Sequence, residues 1–386
     1  MKLLWNSLMR GFRLLVSRKI YFVMMVIVPV LSTIFFVDLM KEGLPLQAPT
    51  AVVDEDHSSM SRSITRALGA SQMVAVDYKA ESFHDAIDKV RSGRIFGFFH
   101  IPANFEQETV AGRTPTLSYY TNMTYYVPGT LSFKGFKTVA VTVTGGVVQT
   151  TLVSNGIDSG LAGALLQPVV IQDHPIGNPW LNYSIYLCNS FIPGLLALLV
   201  MLVTVYTIAD EMKRGTSIEW LRESGGSMTV ALAGKLIPQT LIFTVIGLFI
   251  QAVLYGFSHF PMNCPAWHVW LGVFMLVIAC QAFAVTVIEI LPNLRIALSI
   301  VSLTGILSFS ITGFSFPVQS MYGGVGIFSY IIPLRYYFLI YVDQALNGIP
   351  LYYSRYYYIA LAVFTLVPLL GLKRLKKQCL KPVYIP

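Results

Sequence analysis

The chain has 386 residues, 55% of them hydrophobic and only 12% charged, with a formal net charge of +8. Soluble globular domains carry about 25% charged residues, so a surface that meets water on every side is excluded. Nucleic acid is not the partner that the positive excess implies, because that excess collects at the flanks of long apolar runs, where the positive-inside rule places it.

Residues 1–19 read as an amphipathic helix. Leu4, Leu8, Phe12 and Leu15 fall on one face, with Arg10, Arg13 and Arg18 off it, a pattern suited to the interface of an anionic membrane. The first apolar run follows at 20–37, and about 20 such residues suffice to cross the hydrocarbon core. A signal peptide is the competing reading. However, the run exceeds the usual apolar region of one and ends in Asp38-Leu39-Met40-Lys41 without a small-residue cleavage site. It is expected to remain as an anchor, kinked at Pro29.

Residues 38–182 form one extracytoplasmic insert with 10 basic and 13 acidic residues, large enough for its own core. Strands are predicted at 49–54, 72–77, 94–100 and 116–121, with helices at 59–68 and 82–91. That alternation gives a small α/β or α+β domain, and 133–172 is predicted as a long helix returning to the membrane. Asp54, Glu55, Asp56 and His57 could suggest a metal, but a turn in which Asp56 or Ser58 caps the next helix is the simpler reading.

Further spans are predicted at 185–209, 229–256, 268–291, 294–313 and 356–372, giving a polytopic α-helical membrane protein with six transmembrane helices. Lys2, Arg10, Arg13, Arg18 and Lys19 flank the first. Lys373, Arg374, Lys376, Lys377 and Lys381 lie in the tail 373–386, and Lys213, Arg214, Arg222 and Lys235 lie around the link between the second and third spans. Residues 258–267 have no Lys or Arg. Both termini are therefore expected in the cytoplasm. Two apolar stretches are excluded as spans: 138–157 for its threonines, and 327–342 for Pro333 and Arg335. Glu289 is expected to pair with Arg295 across a short turn. The four cysteines, Cys188, Cys264, Cys280 and Cys379, have no ligand spacing and are read as packing residues; a Cys188–Cys264 bond is conceivable but unsupported by pattern.

Residues 210–226 are polar, short and dense in mixed charge. Met212, Gly215, Ile218 and Leu221 recur every three residues, predicting one helical face, with Gly225-Gly226 as its stop. Residues 314–355 are rich in aromatics, with nine tyrosines between Tyr330 and Tyr358. They read as an aromatic belt or as re-entrant helices of an outer gate built from Gly313, Phe316, Pro317, Pro333 and Tyr336, with the prolines as breaks. The phosphate-cradling GxxxxGK[ST], HExxH and GxSxG patterns are all missing from these residues.

The order Glu211…Arg214-Gly215-Thr216…Glu219…Leu221…Gly234-Lys235…Pro238 resembles the signature of ABC-2 type permeases. Gly313-Phe-Ser-Phe-Pro317…Met321 and Ile332-Pro333-Leu334…Tyr336 resemble that family's segment between its last two spans. Val53-Asp54…Asp56…Ser61-Arg62 and Gly93…Gly97…Ile101-Pro102…Phe105 resemble its large-insert branch. Arg222-Glu-Ser-Gly-Gly226 departs from the more apolar stretch usual there. The resemblance implies that 210–226 is a coupling helix docking on a separate cytoplasmic ATPase subunit through Glu211, Lys213, Arg214, Gly215, Thr216, Glu219, Trp220 and Arg222. Glu211, Arg214 and Glu219 would orient or lock it, and Gly215-Thr216 would make the turn or cap. It further implies a second permease chain, identical or a sister, in a bacterial inner membrane, with a periplasmic adaptor if export crosses two membranes. No cofactor is expected on this chain, since ATP would be bound by the partner. The expected function is thus the permease half of an ATP-driven exporter, not an enzyme. The alternative is a membrane-anchored receptor or scaffold that senses a ligand through its outer domain.

Overall fold

The computed structural model describes residues 2–43, 46–166, 177–178 and 182–381. The chain opens with helix α1 (Lys2–Ser17) and then α2 (Lys19–Leu39). A wide π-type turn at Val23–Ile27 precedes Pro29 in α2 and absorbs the hydrogen bond that the proline nitrogen cannot donate.

The sheet domain runs β1 (Ala48–Asp54), α3 (Ser59–Gly69), β2 (Val74–Ala80), α4 (Phe83–Arg91), β3 (Gly97–Ile101), α5 (Phe105–Val110) and β4 (Ser118–Thr121). It continues into α6 (Tyr126–Ser154) and α7 (Ser159–Leu166). Strand order is β2-β1-β3-β4, with β1 parallel to both β2 and β3, and β4 antiparallel to β3. Successive residues of β1 face opposite sides of the sheet. Val52 joins Ile64, Leu68, Val74, Phe99 and Phe136 under α3 and α6, whereas Ala51 and Val53 join Ala86 and Phe98 under α4. Ser58 is the cap of α3, accepting from the Ser61 amide at 3.0 Å. Asp56 is not; its Oδ2 accepts from the Glu106 amide at the start of α5, a helix absent from the sequence reading. The long helix expected over 133–172 starts earlier, at Tyr126, and breaks at Asn155-Gly156, where Gly156 has φ +85°; residues 167–172 lie outside the described residues.

The helical unit continues with α8 (Tyr183–Lys213), α9 (Ser217–Glu223), α10 (Met228–Phe257), α11 (Ala266–Ile290) and α12 (Leu294–Ile311). Next come α13 (Gly323–Ser329), α14 (Pro333–Leu346), α15 (Leu351–Leu370) and α16 (Leu372–Leu380). Helix α8 is buried nearly all round and packs against α2, α10, α11 and α12, as a helix apolar on every face must. All four cysteines are free, and only Cys264 is partly exposed.

Among the described residues seven helices are long and apolar enough to cross a membrane: α2, α6, α8, α10, α11, α12 and α15. An eighth is added if α13 and α14, bent by 79° at their junction, count as one span. The helix not expected on this count is α6. Its threonines are less polar than their number suggests: Thr138, Thr142, Thr144, Thr150 and Thr151 each donate to the carbonyl four residues back at 2.8–2.9 Å, which satisfies the hydroxyls within the helix. Its first half is bound into the sheet domain through Phe136 and Val139.

Candidate functional site

Three elements remote in sequence meet where α8 ends: α1, the α8–α9 elbow and the start of α10. Helix α8 runs to Lys213, and then Gly215 adopts φ +73°, a left-handed conformation that costs an L side chain roughly 1–2 kcal/mol. That residue turns the chain and starts α9 afresh. The single face expected from Met212, Gly215, Ile218 and Leu221 is therefore not formed. The turn resets the helical phase, so Trp220 and Leu221 are buried while Ile218 is exposed. Gly225 and Gly226, both at positive φ, follow the end of α9.

Behind the elbow is a buried ionic network. Lys235 Nζ, on α10 and 3% exposed, donates to Glu211 Oε1 at 2.8 Å and to the Thr207 carbonyl at 2.6 Å. It also lies 4.5 Å from the centroid of the buried Trp220 ring, a cation–π position. Thr216 takes the N-cap position of α9 but does not cap it; its hydroxyl turns back to Glu211 Oε2. Arg10 of α1 spans the two sides of the elbow, 3.4 Å from Glu211 and 3.1 Å from Glu223. One residue earlier on α8, Asp210 is shared by Arg18 at 2.6 Å and Arg214 at 2.8 Å. The Asp210 hydrogen bond raises the Arg18 pKa above its ordinary value. Buried charges persist where each is paired and hydrogen-bonded, and here the two buried acids, Asp210 and Glu211, each have at least two donors.

Two backbone approaches complete the clamp. A Cβ at Gly11 would collide with the Gly234 carbonyl oxygen, so α1 and α10 meet as bare backbones; Ser7 Oγ adds hydrogen bonds to Ser224 Oγ and the Val230 carbonyl, each 3.2 Å. From the other side, Ser217 Oγ donates to the Cys379 carbonyl of α16 at 2.7 Å. Helix α1, expected to lie in a membrane interface, is thus packed directly on the bundle.

The eight sequence-predicted elbow residues separate into two groups. Glu211, Thr216 and Trp220 point into the clamp. Lys213, Arg214, Gly215, Glu219 and Arg222 are exposed, beside Ile218. Sequence reasoning missed Arg10, Arg18 and Asp210 and took Lys235 for a flank charge. A partial signal was present: an ionisable residue inside an apolar run demands a partner, although the sequence does not say which carboxylate supplies it. Glu289 does not reach Arg295 as expected; no ion pair joins them among the described residues, and its carboxylate packs against Gly371 between α15 and α16 with Oε1 unpartnered.

At the opposite end of the bundle, Arg335 of α14 is buried and donates to the Thr312 carbonyl at 2.8 Å, tying the bent pair to the end of α12. Its guanidinium lies 4.9 Å from the Tyr330 ring, and Tyr336 donates to the Tyr330 carbonyl at 2.9 Å. Pro333 opens α14 and Pro317 precedes a single 3-10 turn. Gly313, with φ +95°, lies against Arg335, whereas Phe316 is exposed.

Among curated proteins nothing matches this chain. The family described as ABC-2 family transporter protein matches residues 19–372, from the first residue of α2 to the first of α16. With its several membrane-crossing helices, the chain belongs to the ABC-2 transporter family and is a multi-pass membrane permease of an ABC transporter.

Proposed function

We propose that this permease is the membrane-spanning subunit of an exporter whose energy comes from a separate cytoplasmic ATPase docking on the exposed face of the α8–α9 elbow. The observation that carries this reading is the clamp: a seven-residue helix, α9, shows mixed charge outward and is held from behind by the buried Glu211–Lys235 pair, Arg10 and Trp220. A force applied to Lys213, Glu219 or Arg222 passes through rigid, hydrogen-bonded groups into α8 and α10 without being lost in a floppy loop. Interior packing of this kind transmits strain. The exposed charges give specificity for one partner more than raw affinity. ATP is bound by that partner, and no cofactor is assigned to this chain.

In this reading the basic end of the bundle faces the cytoplasm in a bacterial inner membrane. Two permease chains, identical or sisters, enclose the pathway between them. The bent α13–α14 pair, with Gly313, Phe316, Pro317, Pro333 and Tyr336, forms the gate at the outer end, and a periplasmic adaptor would extend the route across a second membrane. Non-helical backbone and prolines at that depth are tolerated where the backbone lines a cavity or is buried in protein.

The test is co-purification of the full chain with its ATPase. Glu219→Arg reverses an exposed charge without touching the clamp and is expected to abolish capture while leaving membrane insertion and melting temperature unchanged. Undiminished capture by Glu219→Arg, Arg222→Glu and their double variant would remove the docking assignment.

A further inference from the structure

A second set of charges, far from the elbow in the chain and unused by it, lines a crevice in the sheet domain. It has a volume of about 570 Å³ and is walled by Val52, Asp54, His57, Arg62, Thr65, Arg66, Lys79 and Ala80. This volume falls in the range of small-molecule sites. Asp54 is the last residue of β1, and Lys79 and Ala80 are the last two of β2. The crevice thus opens at the carboxyl ends of two parallel strands, the end at which open α/β sheets bind ligands.

Its electrostatics are lopsided. Arg62 and Arg66 are four residues apart on α3 and share a face, where like charges repel. Lys79 joins them from β2, paired in register with Val52. None of the three cations is in an ion pair among the described residues, whereas Lys89, Arg91 and Arg113 of the same domain each have a carboxylate within 4.0 Å. The crevice does contain one carboxylate, Asp54, but it is committed elsewhere: Oδ1 accepts from the Asp56 and His57 amides at 3.1 and 3.0 Å, and Oδ2 from Ser61 Oγ at 2.8 Å. The turn it holds places His57 at φ +53° and aims the His57 carbonyl at Arg62, which donates to it at 2.7 Å. One guanidinium is thereby fixed in place with donors to spare, and a planar fork so held matches the oxygens of a phosphate or carboxylate.

We propose that this crevice is a binding site for a phosphorylated ligand, with Arg62, Arg66 and Lys79 as its anion contacts. The shared chemistry is a phosphoester group, carried by a soluble metabolite or by a lipid headgroup. The site is independent of the ATPase elbow, so its failure and that of the exporter reading are separately visible.

The experiment is a binding titration on the full chain in neutral detergent, with glycerol 3-phosphate as the soluble probe and short-chain phosphatidate as the lipid probe. Wild type is compared with R62Q/R66Q/K79Q, and R91Q serves as a single-charge control elsewhere in the domain. Loss of charge-assisted contacts should weaken binding at least about tenfold in the triple variant and leave R91Q unaffected, with wild-type affinity falling as salt rises. Binding of glycerol 3-phosphate that is weakened in the triple variant, with or without the lipid, supports the site and assigns a soluble source; binding of phosphatidate alone, likewise dependent on the three cations, supports it and assigns a lipid. Equal binding by wild type and triple variant, or no binding of either probe, overturns the proposal. If the triple variant does not fold, Arg66→Gln and Lys79→Gln singly are read against the same criteria.

Discussion

Lys235 and Glu211 show what a single pair can decide. Both are buried, so neither can lose its partner cheaply. Replacing Lys235 with Met removes the buried cation that pairs with Glu211 and leaves the carboxylate to Arg10 and Thr216. Loss of about 3 kcal/mol is expected, read as a lower melting temperature in detergent. The double variant Lys235→Met/Glu211→Leu should melt above the sum of the two single losses, because it leaves no buried charge unpaired. Cysteine chemistry offers a second check on burial. The Cys379 thiol is pushed up to about 12 by burial and stays a poorly nucleophilic thiol at neutral pH. Under native conditions a maleimide should therefore label Cys264 well ahead of Cys188, Cys280 and Cys379. Rapid labelling of Cys379 would mean that α16 does not cover the elbow as described.

Helices meet here through their smallest residues, and the consequences belong to the element. Gly11 and Gly234 let α1 lie on α10 backbone to backbone. Gly11→Leu should lift α1 off while the apolar bundle persists, and limited trypsin digestion at the exposed Arg13 should then accelerate. At Gly215 the positive φ decides: Asn, which tolerates that region, should preserve the elbow, and Pro, locked near −65°, should destroy it. Much of this scale was legible in the sequence. The apolar runs of α2, α8, α10, α11, α12 and α15 stand out because lipid demands about 20 such residues in a row, and the strand–helix alternation of the sheet domain carries its own period. The outward face of α9 was not legible, because one left-handed residue shifts the phase of everything after it, and a repeat every three residues cannot record that shift. The clamp was legible only in part. Lys235 inside an apolar run demanded a partner, but Arg10, Glu211 and Lys235 are brought together by tertiary packing across 201 and 24 residues, and nothing local says which groups meet.

For the whole molecule, the distribution of charge predicts that the two basic ends lie on one side of the membrane and the sheet domain on the other. The threonine-rich helix α6 tests the arrangement most sharply, being long and apolar enough to cross yet bound by its first half into the sheet domain's core. In a chain with Cys264 replaced by Ser, a membrane-impermeant maleimide applied to intact cells should label Thr150→Cys and spare Lys213→Cys, and inverted vesicles should reverse the result. Protection of Thr150→Cys from both sides would place α6 in lipid. The hydrogen bond from Ser217 to the Cys379 carbonyl spans 162 residues of chain, which sets a clock on biogenesis. At ribosomal speeds of roughly 5–20 residues per second, the elbow waits on the order of 8–30 s after its own synthesis before its last support emerges. During that interval a nascent permease presents an unfinished handle, so a motor that grips only the braced form would ignore half-made copies and spare the cell futile turnover.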